Sequence, residues 1–354
     1  MRAQPFNIAG VTLAPGESRQ VAIPAARLYT DTPIDIVVEV LHGRRSGPVL
    51  MVCAALHGDE INGVDICRRL RHQAVLRRLR GTLLVVPIIN VFGFIQQTRY
   101  LPDRRDLNRC FPGSPKGTLG SRLAYLIRTE LLAHCTHVID LHTAAVHRDN
   151  LPQIRGNLEQ PVVLAMAQAF GAPVILDSRL RDGSLRAAAH ELDIPLIIYE
   201  AGEALRFSEA AVRAGLRGVL RVMRYLHMLP GKLELSSGTM APVVAAGSRW
   251  LRADKDGMLI SHVGLGQRVR AGEVVAHLVV PFQAEEVAVI SSSEGIVIGR
   301  AQIPLVNEGE ALFHIAEFSR LGKAADSIEA FNERYDNGLP RLSGDAFEPL
   351  TDDT

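Results

Sequence analysis

The stretch VLMVCAALHGDE, residues 49–60, carries the most information about the fold of this chain. Its first eight residues, Val49–Leu56, form an uninterrupted apolar run, which is typical of a strand buried on both faces. The run ends at a glycine turn that leads into a helical pattern. We therefore predict that His57 and Glu60 lie three residues apart at the start of a helix, where both side chains can reach one point.

A distant segment, IDLHT at residues 139–143, completes this pattern, because His142 also ends an apolar strand. A His-x-x-Glu pair alone is weak evidence, and a histidine after a buried strand is more often structural. Two imidazoles and one carboxylate at two strand ends, with water in the fourth position, match the open coordination of catalytic zinc. The sequence thus predicts one Zn²⁺ ion held by His57, Glu60 and His142. Asp59 is expected to cap the helix, and Asp140 either accepts a hydrogen bond from a ligand or has a structural role.

Composition excludes several classes of partner. The chain has 354 residues, with 39 Lys and Arg against 38 Asp and Glu, so no strong field favours nucleic acid or an acidic membrane. No apolar run approaches the ~20 residues that span a bilayer, and the N-terminus does not resemble a signal peptide. We expect a cytoplasmic protein with a small-molecule partner, and the sequence leaves a homo-oligomer open.

Strands and helices alternate through the middle of the chain, which indicates an α/β domain with a mostly parallel or mixed sheet flanked by helices. We predict a β-rich segment at 1–46, the α/β domain at 47–230, a small all-β domain at 235–318 and a polar surface tail at 319–354. The predicted strands are Val49–Leu56, Thr82–Ile89, His137–Leu141, Pro173–Asp177 and Pro195–Glu200, and the predicted helices are Asp59–Leu79, Gly120–His134, Pro161–Phe170, Ser184–Leu192 and Ser208–His227.

The predicted all-β domain contains an internal duplication. The segment that begins at Asp256 recurs at Glu294, an offset of 38 residues, and the segment at Val269 recurs at Val306, an offset of 37. Each half should therefore form about four short strands of a barrel. The halves resemble those of biotinyl- and lipoyl-type barrels, but no lysine occurs at 256–322, so covalent cofactor carriage is not expected.

Polar residues in the segment that follows the predicted strand Thr82–Ile89 suggest a substrate site. Adjacent Asn108 and Arg109 make a natural clamp for a carboxylate, because a guanidinium binds it through two hydrogen bonds and an amide adds a donor. Arg99 would polarise a scissile carbonyl group. Arginines are abundant here and most are solvated, and Arg105 is an alternative to Arg99.

Glu200 places a carboxylate at the end of the predicted apolar strand Pro195–Glu200. Sites in α/β sheets gather at the carboxyl ends of the strands, so Glu200 should lie near His57 and His142. Such a carboxylate suits a general base that deprotonates the attacking water and then protonates the leaving amine. Glu203 is the rival, and an exposed position in the following segment is its more ordinary interpretation.

Taken together, these motifs resemble the succinylglutamate desuccinylase/aspartoacylase family of zinc amidohydrolases, which have a zinc carboxypeptidase-like fold. The matching residues are His57-Gly58-Asp59-Glu60, Asn90, Gly93-Phe94, Arg99, Asp106-Leu107-Asn108-Arg109, Phe111-Pro112-Gly113, Asp140-Leu141-His142 and Glu200-Ala201-Gly202.

The resemblance covers about residues 47–228 and implies a role for each site residue. The zinc ligands fall on His57, Glu60 and His142, and the general base falls on Glu200. The carboxylate-binding pair falls on Asn108 and Arg109, and the carbonyl-polarising arginine falls on Arg99. The resemblance also implies a C-terminal barrel and hydrolysis of a small N-acyl amino acid, such as an N-succinyl or N-acetyl compound.

Two other functions stay open. A metallocarboxypeptidase that acts on short peptides would use the same residues but needs an open cleft. A binding protein with a vestigial metal site is the third interpretation, which the complete set of ligands, base and clamp disfavours. A C-terminal barrel that leans over the site would exclude long chains and favour small acylated amino acids.

Overall fold

The computed structural model describes residues 1–232, 241–282 and 286–336 of the chain. The N-terminal segment is built of strands, and the last of them, Pro33–His42, alternates between buried and more exposed residues, as its period-two pattern predicts. These strands are β1 (Phe6–Ile8), β2 (Val11–Leu13), β3 (Ser18–Arg27) and β4 (Pro33–His42).

Strands alternate with helices in the middle of the chain. The elements are β5 (Arg45–Ala54), α1 (Asn62–Leu70), β6 (Arg80–Val86), α2 (Val91–Gln96), α3 (Leu119–Glu130), β7 (His137–Ala144), β8 (Arg148–Gly156), α4 (Pro161–Phe170), β9 (Val174–Asp177), α5 (Leu185–Glu191), β10 (Leu196–Glu203) and α6 (Glu209–Tyr225), with short 3-10 helices at Ala74–Arg78, Leu107–Arg109 and Leu132–His134.

Thirteen of the described strands form one mixed sheet, in which β10, β7, β5 and β6 are adjacent and parallel. Strand β8 runs antiparallel to β10, and β4 runs antiparallel to β6. In the parallel part, Cys53 lies opposite Asp140, and Glu200 lies opposite His142. The carboxyl ends of β5, β7 and β10 therefore meet at one edge, and the predicted α/β class with a mixed sheet is confirmed.

Both faces of this sheet are covered, which explains why β5 is apolar without interruption. Leu50, Val52 and Ala54 belong to a core that includes residues of α1, α4 and α6. Met51 and Cys53 point to the opposite face, in a core that includes residues of α3, α5 and the N-terminal strands. Successive side chains of one strand thus fill two separate cores.

Among the described residues, the C-terminal part consists of nine short strands followed by a helix. Eight of these strands form two equivalent groups of four, and the first of the nine pairs with a strand of the α/β part at Val174–Asp177. Gly257 pairs with Val306 in one group, and Gly295 pairs with Val269 in the other, so the two copies of the repeat exchange strands. The elements are β11 (Val243–Val244), β12 (Gly247–Arg252), β13 (Gly257–Ser261), β14 (Arg268–Val269), β15 (Val274–Val279), β16 (Glu286–Ile290), β17 (Gly295–Ala301), β18 (Leu305–Val306), β19 (Ala311–Glu317) and α7 (Leu321–Asp336).

These C-terminal strands are continuous with the α/β sheet. Strand β17 pairs antiparallel with β8, and Gly299 lies opposite Asn150 in that ladder. Residues of β17 and β19 also share a core with β9, through Ile296, Ile298 and Leu176. Residues 235–240 and 283–285 of the predicted all-β domain lie outside the described residues.

Three details differ from the sequence-based expectations. Helix α1 begins at Asn62, so His57 and Glu60 lie in the turn before it. The N-cap residue of this helix is Ile61, which makes no side-chain capping hydrogen bond, so Asp59 does not cap the helix. Strand β8 was not predicted, because Pro152 and its charged neighbours break the apolar pattern. The predicted polar tail contains α7, whose buried Phe331 packs near α6, while residues 337–354 lie outside the described part.

Candidate active site

Three buried side chains converge at the carboxyl ends of β5 and β7. His57 and Glu60 lie in the turn between β5 and α1, and His142 lies near the end of β7. One possible ligand atom from each residue lies within 4.8 Å of the other two. Their exposed fractions are only 3%, 2% and 5% in that order. The structure therefore brings together the three residues that the sequence predicts to hold a metal ion.

Glu60 is the centre of this cluster. Its Oε1 lies 2.6 Å from His57 Nδ1, and its Oε2 lies 2.8 Å from His142 Nδ1. The backbone N–H of Thr143 also donates to Oε2, at 3.1 Å. Burial opposes the ionisation of Glu60, but the facing imidazoles outweigh burial and lower the pKa of this carboxyl group. The cluster therefore holds an anion in the protein interior.

The outer nitrogen of each imidazole faces a second carboxylate. His142 Nε2 lies 2.8 Å from Asp140 Oδ2. His57 Nε2 lies 3.3 Å from Asp106 Oδ1, without the geometry of a hydrogen bond. Carboxylates placed in this way fix the tautomer and orientation of metal-binding imidazoles. Both Nδ1 atoms are thus directed toward Glu60, and the three side chains form a donor set for a divalent metal.

The turn that contains His57 and Glu60 packs closely against the backbone at the start of α2. A Cβ atom on Gly58 would lie 1.9 Å from the carbonyl carbon of Gly93, so a side chain has no room there. Asn90 accepts a hydrogen bond from Gly93 N–H at 2.8 Å, and its own backbone N–H donates to Ala55 at 2.9 Å. The close backbone approach explains the need for glycine in the HGDE stretch.

A cavity of about 440 Å³ opens beside the cluster. Every predicted site residue lines it, and further residues come from β8, from the segment between β9 and α5, from the start of α5, and from β12. The cavity-lining residues from those additional segments include Arg148, Asn150, Arg155, Arg179, Arg181, Ser184, Arg186 and Trp250.

Arg99 lies next to the cluster. Its Nη1 is 3.3 Å from Glu60 Oε1, and its Nη2 is 3.0 Å from Asp106 Oδ2. The alternative arginine, Arg105, is exposed, pairs with Asp103 at 3.7 Å, and does not line the cavity. The geometry therefore favours Arg99 as the guanidinium near a reacting group.

Glu200 lies on β10 and faces the same cavity. Asn150 Nδ2 donates to its Oε2 at 2.8 Å, and Arg155 Nη1 lies 3.7 Å from its Oε1. The rival carboxylate, Glu203, lies beyond a bulge in β10, accepts a hydrogen bond from the backbone N–H of His147 at 3.1 Å, and does not line the cavity. Of the two carboxylates, Glu200 is the one that lines the cavity.

Asn108 and Arg109 belong to a 3-10 helix at the cavity wall. Asn108 Oδ1 accepts a hydrogen bond from Leu185 N–H at 2.9 Å, which orients the amide. Arg109 is exposed, and its Nη1 donates to the backbone carbonyl of Asn108. The pair therefore offers an amide donor and a guanidinium side by side, as the sequence predicts.

Sequence reasoning missed Asn150, Arg155, Arg186 and Trp250 as cavity residues. Asn150 and Arg155 lie on β8, which has no strand pattern of its own. Trp250 comes from β12 in the C-terminal part, where it stacks on His314 with ring centroids 4.6 Å apart. The one available signal was that Trp250 is the only tryptophan in the chain.

Among the described helices, none is long and apolar enough to cross a membrane.

Comparisons with known proteins identify the family to which the α/β domain is similar. Residues 46–226, half of the chain, match the family model of the succinylglutamate desuccinylase/aspartoacylase catalytic domain. The N-alpha-acetyl-L-2,4-diaminobutyric acid deacetylase of Halomonas elongata is 25% identical over 286 residues, which cover 77% of this chain and 83% of the relative.

Solved structures show the same fold. A succinylglutamate desuccinylase/aspartoacylase from Rhodobacter sphaeroides has a TM-score of 0.75 and 25% identity, over 85% of this chain and 95% of that one. The ectoine utilization protein EutE (DoeB) from Ruegeria pomeroyi has a TM-score of 0.78 and 22% identity, over 89% and 98% of the two chains. The matched domain contains the HGDE stretch, His142 and Glu200, and the chain belongs to the succinylglutamate desuccinylase/aspartoacylase family.

Proposed function

We propose that this protein is a zinc-dependent deacylase that hydrolyses the amide bond of a small N-acyl amino acid. The observation that carries the proposal is that one cavity is lined by the buried cluster of His57, Glu60 and His142, by Glu200 and by the pair Asn108 and Arg109. The named relatives, a deacetylase and a succinylglutamate desuccinylase/aspartoacylase, support an amidohydrolase.

The donor set fits zinc. Two imidazole nitrogens and a carboxylate are the protein ligands of many catalytic zinc sites, where a fourth position stays open. His57 Nδ1, Glu60 and His142 Nδ1 would hold the ion, and Asp140 and Asp106 would keep the imidazoles in place. Zinc supplies Lewis acidity, which polarises a carbonyl group and makes water a stronger acid.

Glu200 is the proton-transfer group in this proposal. Its carboxylate takes a proton from water as the water oxygen forms a bond to the carbonyl carbon of the amide. It then passes that proton to the amide nitrogen as the carbon–nitrogen bond breaks, and the products are a carboxylate and a free amino acid. Asn150 orients this carboxylate through its 2.8 Å hydrogen bond to Oε2.

Arg99 and the clamp position the substrate. Arg99 donates to the carbonyl oxygen and stabilises the negative charge that develops there. Asn108 and Arg109 bind the α-carboxylate of the amino-acid half, through one charge-assisted pair and one amide donor. The reacting bond is thereby placed between Arg99 and Glu200.

A metallocarboxypeptidase is the alternative. A cavity of about 440 Å³, with Trp250 of β12 on its wall, favours small substrates over long peptides. We therefore propose that the C-terminal β-strands exclude long peptides by steric clash. These strands do not select the substrate through favourable binding contacts.

The direct test is hydrolysis of a panel of N-acyl amino acids and N-acylated peptides by the zinc-reconstituted protein. We expect turnover of at least one N-acyl amino acid, loss of turnover after chelation, and recovery when zinc is restored. Turnover of peptides without turnover of any N-acyl amino acid would replace the deacylase with the carboxypeptidase.

A further inference from the structure

Far from the catalytic cavity, four exposed arginines surround an open cleft of about 460 Å³. We call these residues, Arg2, Arg44, Arg45 and Arg80, the arginine cluster. The cluster lies at the start of β5, whereas His57 follows the end of that strand. At about 3.3 Å per residue, the length of β5 places the cluster roughly 25–30 Å from the metal-ligand residues. The cleft is therefore separate from the catalytic cavity.

Three of these arginines form a row across adjacent segments of the sheet. Arg45 of β5 lies opposite Arg80 of β6 in a parallel ladder, and it lies opposite Arg2 in an isolated antiparallel bridge. Backbone hydrogen bonds of 3.1 and 3.2 Å flank this bridge, so Arg2 and Arg45 are a non-hydrogen-bonded pair. Such pairs bring opposite Cα atoms to about 4.5 Å and their side chains close together. The row thus places three positive charges on one face of the sheet.

The protein does not neutralise this charge. Like charges at directly opposite positions destabilise a sheet. Among the described residues, no carboxylate lies within 4.0 Å of any guanidinium of the cluster. Arg44 packs over Gly16, where a Cβ atom would lie 2.9 Å from the arginine Cγ, but the next residue, Glu17, is already paired with Arg19 at 2.6 Å. The cluster therefore has positive charge available for an anion from outside the chain.

The chemistry and size of the cleft indicate the class of anion. A guanidinium group binds phosphate oxygens through two parallel hydrogen bonds, and a cleft lined by charge of one sign attracts ions of the opposite sign. Neighbouring strands lie about 4.8 Å apart, so the row from Arg2 to Arg80 spans about 10 Å, which is more than one phosphate group can cover. Among the described residues, the rest of the lining is Met1, so the cleft offers no aromatic ring to a nucleobase.

We propose that Arg2, Arg44, Arg45 and Arg80 form a binding site for an anion with several linked phosphate groups. The phosphates lie along the row of guanidinium groups and supply the negative charge that the protein lacks there. This site does not depend on the proposed deacylase function, because none of its residues lines the catalytic cavity. A free polyphosphate and the phosphate chain of a nucleotide share this chemistry.

Calorimetric titration of the full-length chain with sodium triphosphate tests the site. The protein is used free of metal, because polyphosphates chelate divalent ions. Triphosphate should bind at least about 10-fold more tightly than inorganic phosphate, since one added charge-assisted contact is worth about that factor. Its affinity should fall as the NaCl concentration rises, because the cluster is exposed. No binding of triphosphate, or equal affinity for the two anions, would overturn the proposal.

Adenosine triphosphate distinguishes the two sources of linked phosphates. It should bind no more tightly than triphosphate, because the lining of the cleft contains only arginines and Met1 among the described residues. That result identifies a free polyphosphate as the ligand. Tighter binding of adenosine triphosphate would identify a nucleotide and would also support the site.

Variants assign the binding to the row of arginines. Arg45→Gln removes the central guanidinium and should weaken triphosphate binding about 10-fold or more, and Arg80→Gln should weaken it in the same direction. Arg122→Gln is the matched control, because Arg122 is an exposed arginine of α3 that lines neither the cleft nor the catalytic cavity. Unchanged affinity in both Arg45→Gln and Arg80→Gln would contradict the assignment.

The catalytic cavity also contains arginines, so the location of binding needs a control of its own. Arg181 lines that cavity and not the cleft. Arg181→Gln should therefore keep the triphosphate binding that Arg45→Gln weakens. Binding that is lost in Arg181→Gln and kept in Arg45→Gln would place the anion in the catalytic cavity and overturn the proposal.

Thermal unfolding separates a binding role of the cluster from a structural one. Without ligand, Arg45→Gln should be at least as stable as the wild type, because it relieves repulsion between opposite like charges. At equal concentrations, triphosphate should raise the Tm of the wild type more than that of Arg45→Gln, since a ligand that binds only the folded state stabilises it. A lower Tm in Arg45→Gln, without a triphosphate-dependent shift in either protein, would show that the arginines serve the fold and would overturn the proposal.

Discussion

Glu200 and Glu203 show how three residues of separation decide the role of a carboxylate. Gly202, with φ of +78°, lies in the bulge that separates them, and a Cβ there would lie 2.7 Å from Asn62 Nδ2. The bulge leaves Glu200 on the cavity side and sends Glu203 to the backbone N–H of His147. Because both residues are glutamates, Glu203 is a chemically matched control for Glu200.

We predict that Glu200→Gln lowers kcat by about 100-fold or more, the usual worth of a positioned general base, while zinc content is retained. Glu203→Gln is the matched control and should keep most of the activity. Steady-state kinetics and metal analysis on both variants make the measurement. Loss of activity in Glu203→Gln with retention in Glu200→Gln would show that the wrong carboxylate was chosen.

Arg109→Ala should chiefly weaken productive binding of substrates with a free α-carboxylate, because it removes a charge-assisted pair worth about 10- to 100-fold in kcat/KM. Substrates amidated at that carboxylate should already be poor for the wild-type protein. The measurement compares free-acid and amidated forms of one substrate. Equal rates on the two forms by the wild-type protein would remove the clamp from the account.

The meeting of His57, His142 and Glu200 around one cavity could be predicted from the sequence, because each of them follows or ends an apolar run with the pattern of a strand. Parallel strands end at a common edge of a sheet, so the order of these runs along the chain is enough to group the three residues. Arg155 and Arg186 could not be predicted, because arginine is abundant and usually solvated. Only their burial and their unpaired nitrogens distinguish them.

At the scale of elements, β8 connects the α/β sheet to the C-terminal strands. Its polar residues place Asn150 against Glu200, and its outer edge pairs with β17. The sequence could not reveal this strand, because Pro152 and the charges around it hide the alternation. The start of α1 was misplaced for a related reason, since the HGDE stretch forms a tight turn whose shape depends on the close approach of Gly58 to Gly93.

Strand β19 carries a histidine whose protonation should affect stability. Burial, and then the charge of Arg155, lower the pKa of His314 to about 3, while its Nε2 lies 2.9 Å from the hydroxyl oxygen of Ser248. An unfolded histidine has a pKa of about 6.5, so the unfolded chain binds more protons below that pH. His314 therefore favours the folded state fully above pH ~6.5 and loses this contribution as the pH falls toward its folded pKa.

We predict that His314→Gln reduces the pH dependence of the free energy of unfolding between pH ~6.5 and ~4. The difference between the two proteins should change by at most about 1.4 kcal/mol per pH unit, with the wild type losing more on acidification. Denaturant unfolding at several pH values measures this. Parallel pH curves for the wild type and the variant would contradict the assignment.

At the scale of the whole molecule, the C-terminal strands add a wall to the cavity of the α/β part. Among the described residues, Trp250 is the side chain that they contribute; it stacks on the His314 ring and lies 5.4 Å from the Arg148 guanidinium. Removal of the whole C-terminal part is a poor test of this wall, because β8 would lose its pairing with β17 and Leu151 and Leu176 would lose part of their core.

We predict that the intact protein hydrolyses small N-acyl amino acids and not long peptides. Trp250→Ala should raise the rate on an N-acetyl dipeptide relative to the rate on an N-acetyl amino acid, because the wall loses its largest side chain. Competition assays with both substrates measure the ratio. Efficient cleavage of long peptides by the wild type would overturn the steric role and favour the carboxypeptidase.

The central claim is that His57, Glu60 and His142 hold a zinc ion, and elemental analysis of zinc-reconstituted, dialysed protein tests it most directly. The account predicts about one zinc ion per chain in the wild type, the stoichiometry of a single catalytic site. His142→Ala should lose most of the zinc, and His277→Ala, in β15 and away from the cavity, should keep it. Full zinc content in His142→Ala, or none in the wild type, would contradict the account.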